Sequence, residues 1–280
     1  ARVTYHWVEA MATSAERLTT EGAKPWFQMD RGGDCYSVLT AIIDRGWKAT
    51  VRSTSDRTCE GGKISDALAA PSFMGACAIK IRRAPGREPR TAVVRLAAQR
   101  VTIVATTPFQ PTRKLPFNVV EVLEVAAPRG VEPIHWRRLT TQPIRTANQV
   151  RTVIDGYTTR WHIETFHHAW KSGVTNVESS QLREVERLKI WATFLAIVAA
   201  RAERLKHRAR TEPDVSALEE LTQDEIDAVI LLRRPRGVEP GTAPPPGDVV
   251  RWIAEYGGYT GKSSGGPPGT AVIARALPEI

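Results

Sequence analysis

Apolar residues change their period several times along this chain, and each change predicts a different element. Residues 4–18 carry Trp7, Val8, Met11 and Leu18 at near-helical intervals with no Gly or Pro, which predicts a helix packed on one side. Gly22 and Pro25 break it. Trp26, Phe27 and Met29 then lead into Asp30, the pattern of a short buried strand that ends in a carboxylate. A helix over 36–43 and a strand over 47–52 follow. From Ser53 to about Thr146, β-branched residues, prolines and arginines replace helical periodicity. Strands are predicted there at 92–94, 100–105, 118–125 and 134–140, with turns at Pro85-Gly86 and Arg129-Gly130.

Helical periodicity returns at Ala147. One long helix is predicted over 147–171, ending near Gly173, a residue suited to a helix end. A second, over 182–210, starts charged and becomes apolar through 190–200. That run falls short of the roughly 20 residues needed to cross a bilayer, so it reads as a buried helix. It closes with Arg201, Arg204, Lys206, Arg208 and Arg210. An amphipathic helix over 221–232, with Thr222 as its N-cap, precedes a stiff proline-rich linker over 235–247. Two short helices, 248–256 and 270–277, complete the pattern, and no internal repeat is visible.

Composition narrows the class without naming a reaction. The 280 residues are 42% hydrophobic and 25% charged, as in a folded globular chain of one large or two small domains. Lys and Arg number 39 against 30 Asp and Glu, a net charge of +9 that points to an acidic partner such as nucleic acid. Cys35, Cys59 and Cys77 have no CxxC spacing, which argues against a disulfide framework or a cysteine zinc site and fits a reducing cytoplasm. No signal peptide is visible, although the chain begins with Ala1 rather than Met. Tyr259 to Ser263 (YTGKS) lacks the preceding glycine and strand of a phosphate loop, and no HExxH occurs.

The stretch from Tyr157 to Lys171, YTTRWHIETFHHAWK, carries the candidate chemistry. At helical spacing, Tyr157, Arg160, Glu164, His168 and Lys171 share one face, which is either a solvated polar face or a site. The spacing is Tyr, two residues, Arg, three residues, Glu, six residues, Lys. Here the sequence resembles the insertion-sequence transposases that carry the YREK motif and cut DNA with an RNase H-like Asp-Asp-Glu triad. The resemblance includes Asp30-Arg31 at a strand end, Val51-Arg52-Ser53 closing the next strand, Trp136, the LTQDEIDAVILL segment from Leu221 and WIAEYGGYTGK from Trp252.

The resemblance implies an α/β fold. It has a partial RNase H-like core in 1–58, a β-rich insertion in 59–145, the YREK helix and its successor in 146–210, and a helical, dimer-forming region in 211–280. It implies cut-and-paste DNA transposition by two-metal hydrolysis and transesterification of phosphodiesters at terminal inverted repeats. Asp30 and Glu164 would be catalytic ligands of Mg²⁺. Tyr157, Arg160 and Lys171 would hold phosphates, with His168 beside them, Arg52 would contact DNA next to the cut, and Trp136 would stack a base drawn out of the duplex. The implied partners are DNA and a second copy of the chain, with no membrane, in a bacterial cytoplasm and at the nucleoid when DNA-bound. Each assignment has a plainer alternative: Asp30 as the cap of the helix at Tyr36, Asp34 as a cap or surface residue, Glu164 in a surface ion cluster, Trp136 as a packing residue. The basic helix end at 201–210 extends the DNA-facing set.

The family's first Asp belongs on the first strand of its sheet, yet the residues ahead of Asp30 include Glu9, Glu16 and Glu21 and no Asp. The expectation is a transposase fragment without the first catalytic Asp, the first three strands and the end-recognising domain. Such a chain would bind Mg²⁺ weakly and be inactive alone. The alternative is a non-catalytic DNA-binding, dimerising remnant able to inhibit an intact transposase. A third reading is a nuclease or resolvase unrelated to transposition.

Overall fold

Strands whose side chains alternate between two buried faces dominate the first half of the chain, and helices form the second. The structure, a computed structural model, describes residues 2–69, 73–81, 88–172, 175–212, 214–262 and 266–280. Gly173, the Pro85-Gly86 turn and Ser263 lie outside the described residues. The chain divides into two compact units, Ala1–Arg160 and Trp161–Ile280.

In the first unit the order is α1 (Arg2–Thr20), β1 (Trp26–Met29), α2 (Tyr36–Asp44), β2 (Lys48–Arg52), β3 (Thr58–Cys59), β4 (Gly62–Lys63), α3 (Ile64–Ala69), β5 (Phe73–Ile81), β6 (Arg90–Thr107), β7 (Gln110–Glu124), β8 (His135–Thr140) and α4 (Ala147–Thr158). All eight strands join one sheet in the order β1-β2-β8-β7-β6-β3-β4, with β5 paired to β6. β1 and β2 are parallel and the other pairs antiparallel. The sheet therefore runs without a break through both the 1–58 and 59–145 stretches.

One face of the sheet packs on α1, α2 and α3, where Met11, Leu39, Ile42 and Ile64 meet Val51, Ile103, Leu115 and Leu139. The other packs on α4, where Val150, Val153 and Ile154 meet Val94, Leu96, Val120 and Val122. Period-2 alternation sends odd and even residues of each strand to different layers. Trp7, Val8 and Met11 of α1 pack as expected, but Leu18 is exposed. The strands predicted at 92–94 and 100–105 are one continuous β6, because its residues alternate against β7 from Val94 to Thr107. The short pieces β3 and β4 and the helix α3 carry too little periodicity to have been foreseen; β5 was also not foreseen, although Cys77, Ile79 and Ile81 alternate towards the α4 face.

The long helix expected over 147–171 is two helices. Thr158 Oγ1 and Thr159 Oγ1 donate to the carbonyls of Asp155 and Gly156, at 2.6 and 2.7 Å. The amides of Thr159 and Arg160 bond three residues back, to Gly156 and Tyr157. Two adjacent β-branched hydroxyl residues that bond their own backbone tighten and end α4 there.

The second unit contains α5 (Trp161–Ser172), α6 (Val185–Thr211), α7 (Gln223–Arg233), α8 (Pro246–Tyr256) and α9 (Thr270–Ala276). Its core joins Ala202 and Leu205 of α6 to Ile226, Val229 and Ile230 of α7, Val249 and Ile253 of α8, and Ile273 of α9. Thr222 caps α7 as expected, in a reciprocal capping box with Glu225. The apolar run at 190–200 is not the buried helix it resembles: Ile190, Phe194 and Ile197 are 67%, 66% and 60% exposed, and the core is supplied by the later half of α6. Among the described residues no helix is long and apolar enough to cross a membrane.

α4 approaches the sheet most closely at Gly156. A Cβ there would stand 2.4 Å from Cη2 of Trp26. The Trp26 indole donates to Thr50 Oγ1 at 3.0 Å, and Thr50 and Thr140 hydroxyls share a 2.9 Å hydrogen bond, so the ring cannot swing aside without breaking a buried polar chain across three strands. Gly156→Ala should therefore lower stability. Overpacking costs about 1–3 kcal/mol, which outweighs or cancels the roughly 1 kcal/mol that Ala gains over Gly in a helix. Urea melts of the two proteins check this, and a more stable Ala variant would contradict the close contact.

Candidate nucleic-acid interface

Parallel pairing places the C-terminal ends of β1 and β2 side by side. Met29 pairs with Val51, and Asp30 and Arg52 come next along their strands. Arg52 in turn pairs across the β2–β8 ladder with Arg138. Alternation sends Arg52, Trp136 and Arg138 to the face that α4 covers, and the end of α4 brings Tyr157 and Arg160 to the same place. The Arg138 guanidinium lies 4.0 Å from the centre of the Tyr157 ring and 5.5 Å from that of Trp136. The Arg160 guanidinium lies 5.8 Å from the Tyr157 ring.

Arg138 is only 7% exposed. Its one hydrogen bond among the described residues runs from Nη1 to the Arg137 carbonyl, at 3.2 Å. Burial pulls this guanidinium down to about 10; Arg52 and Arg160 push the same way and Tyr157 opposes them. A folded value below the unfolded one means that folding disfavours the charged form, by on the order of 3 kcal/mol at neutral pH. That penalty persists below pH 10 and is relieved only as pH rises through it. The neighbouring Arg137 points to the opposite face and is fully paired, to Glu121 at 2.8 Å and Asp56 at 2.9 Å.

Asp30 is exposed, and its Oδ1 accepts from the Gly32 amide at 2.8 Å. It thereby caps the short turn Arg31–Gly33 rather than α2, whose N-cap is Cys35. Gly32 has no room for a side chain, since a Cβ would stand 2.9 Å from the Trp7 ring. Asp34 is not a surface residue: it follows the Arg31–Gly33 turn as its C-cap, its amide donating to the Arg31 carbonyl. It is buried, and its carboxylate accepts from Arg57 and from the Thr54 amide and hydroxyl, tying the turn after β1 to the segment after β2.

Glu164, His168 and Lys171 belong to the second unit. They form one exposed stripe along α5 at intervals of four and three residues. The opposite side of α5 packs through buried Ala169 and through Trp170, whose indole donates to the Ala192 carbonyl at 2.9 Å. His162 Nδ1 meets Glu203 Oε1 at 3.1 Å. Glu203 also accepts from buried Lys206 at 2.5 Å and from Thr270 at 2.6 Å, so one carboxylate ties α5, α6 and α9 together. The unit boundary thus falls inside the Tyr157–Lys171 stretch: Tyr157 and Arg160 go with the sheet, Glu164 and Lys171 with the helices.

A family model described as Transposase DDE domain matches residues 9–200. The chain belongs to this family. The matched stretch contains all eight residues singled out from the sequence, and the mixed α/β fold, a sheet flanked by helices, is consistent with an RNase H-like superfamily. For a DDE transposase the gathering of Arg52, Trp136, Tyr157 and Arg160 from three distant stretches is the informative feature. One face of Trp136 is already occupied by Arg138, so a stacked base would have to use the other. Arg138 itself was missed, although its signal was present: it lies two residues after Trp136 on a predicted strand, hence on the same face.

The basic helix end expected to extend the DNA-facing set is engaged in pairs within its own unit. Arg201 is paired with Glu225, Arg204 and Arg208 with Glu220, and Lys206 with Glu203, while Arg210 donates to the Pro268 carbonyl. Glu203 is the critical member. Burial would raise its carboxyl, but hydrogen bonds from Lys206, Thr270 and His162 hold it below the ordinary value of 4.5. Its contribution is therefore present above that value and lost as pH falls through the lowered one. Glu203→Ala, which strands a buried ammonium, should cost the second unit about 3–5 kcal/mol. It should also flatten the acid limb of stability below pH 4.5, where the parent loses this contribution, which denaturant titrations at several pH values would reveal.

Proposed function

We propose that this chain is the DNA-handling part of an insertion-sequence transposase of the YREK-motif group, whose relatives excise and rejoin DNA at terminal inverted repeats. The observation that carries the reading is the convergence of Arg52, Trp136, Tyr157 and Arg160 at one sheet end, inside the matched family stretch. Guanidinium forks suit phosphates, and the two rings offer apolar faces for a sugar or base. In this reading Tyr157, Arg160 and Lys171 hold phosphates with His168 alongside, Arg52 contacts DNA beside the cut, and the open face of Trp136 takes a base. The stretch 1–58 is then a partial RNase H-like core, 59–145 its β-rich insertion and 211–280 a helical dimer-forming region.

Asp30 and Glu164 are carboxylates of the kind that Mg²⁺ takes. The chain's donor set nevertheless does not fit a pair of such ions. Two carboxylates are too few to ligate and bridge two hard cations, and no group of three or more His, Cys, Asp or Glu side chains is gathered among the described residues. A polypeptide of these 280 residues is therefore expected to bind DNA without cutting it.

The test is a gel-shift on duplexes carrying candidate inverted repeats, and on unrelated duplexes, over a salt series. Binding should weaken steeply with salt, and Arg52→Ala, Arg160→Ala and Lys171→Ala should each flatten the log–log slope by about one. Absence of binding at low salt would refute the DNA reading. Metal-dependent nicking that disappears in Glu164→Ala would refute the expected inactivity.

A further inference from the structure

Two neighbouring arginines on one strand meet opposite fates, and the difference points to a ligand. Arg137 finds Glu121 and Asp56 on its side of the sheet. Arg138, on the other side, is buried and meets no carboxylate among the described residues; its neighbours are the Tyr157 and Trp136 rings and the cations of Arg52 and Arg160. Arg52, its cross-strand partner, likewise has no carboxylate partner among the described residues. Like charges directly opposed on two strands repel, and a buried cation without a counter-charge is among the least favourable arrangements in a folded chain. A packing role would be met better by an aliphatic side chain of the same length. An arginine fixed by ring stacking, beside a second arginine from the next strand, is preorganised for an anion that bridges them.

We propose that Arg138 is the buried member of a phosphate site shared with Arg52 and Arg160, and that its ligand is a backbone phosphate of DNA. The choice of DNA rests on the function proposed above, whereas the anion site rests on the geometry alone. Stacking on Tyr157 and Trp136 holds the Arg138 fork still, so little side-chain freedom is lost when a phosphate enters. The incoming charge relieves the repulsion between the Arg138 and Arg52 guanidiniums. Arg138 also backs one face of Trp136, so phosphate binding and the orientation of that ring are linked.

The experiment compares the 280-residue chain with its Arg138→Met and Arg138→Lys variants. Met keeps the stem's bulk and removes the buried charge. The expected result is a melting temperature at or above that of the parent, with duplex DNA bound at least about tenfold more weakly at low salt and a log–log salt slope smaller by about one. Lys keeps the charge without the fork or the stack, and should restore the slope but not the full affinity. Unchanged affinity and slope in Arg138→Met would overturn the proposal, as would a lower melting temperature with an unchanged slope, which is the mark of packing alone. If the parent chain binds no duplex, the DNA reading fails and inorganic phosphate decides the site. A phosphate-induced rise in melting temperature that Arg138→Met lacks would retain an anion site for a free phosphate, and an equal rise in both proteins would remove it.

Discussion

The contact between Gly156 and the Trp26 ring sets the geometry on which the candidate site depends. A helix can approach a sheet this closely only where it lacks a Cβ, and the ring beneath is held by the Thr50 and Thr140 hydroxyls. Tyr157 is the next residue, so the depth of α4 over β1 and β2 determines whether its ring reaches the Arg138 guanidinium. The helix then ends within a turn, at the threonine pair, which leaves Arg160 at the same place rather than carrying it along a continuing helix face. Local backbone chemistry and one close packing contact together gather groups that are far apart in the chain.

Charge is distributed by the same logic. The chain carries nine more basic than acidic residues by formal count, yet its densest basic run, at the end of α6, is occupied by glutamates from α6, α7 and the turn before α7. Those pairs hold helices together. Arg52 and Arg138, which have no carboxylate partner among the described residues, lie opposite one another on β2 and β8. A protein that buries a guanidinium with no carboxylate beside it among the described residues retains an arrangement that stability alone does not explain.

Much of the fold was legible in the pattern of residues. The strand running into Asp30, the strand ending at Arg52, the strand containing Trp136 and the helices expected over 221–232 and 248–256, found at Gln223–Arg233 and Pro246–Tyr256, follow from period and capping. The YREK spacing anticipated the family as well. The break at Thr159 was not legible as a break, because Thr158 and Thr159 are compatible with a helix until their hydroxyls turn to the backbone. The 190–200 run misled for a related reason: hydropathy registers apolar side chains, whereas burial depends on which half of the helix finds partners, and here that is the later half.

The sequence by itself determined most of the element types, the Thr222 cap of α7 and the spacing of Tyr157, Arg160, Glu164 and Lys171. These are local properties, set by side chains a few residues apart. Only the tertiary structure decided which arginines are neutralised and which are left facing one another, that Arg138 belongs with Trp136 and Tyr157, and that the motif is divided between two units. The physical reason is that pairing across a sheet joins residues separated by most of the unit's length. Arg52 and Arg138 become neighbours only when β8 returns to lie beside β2, and no periodicity along the chain encodes that return.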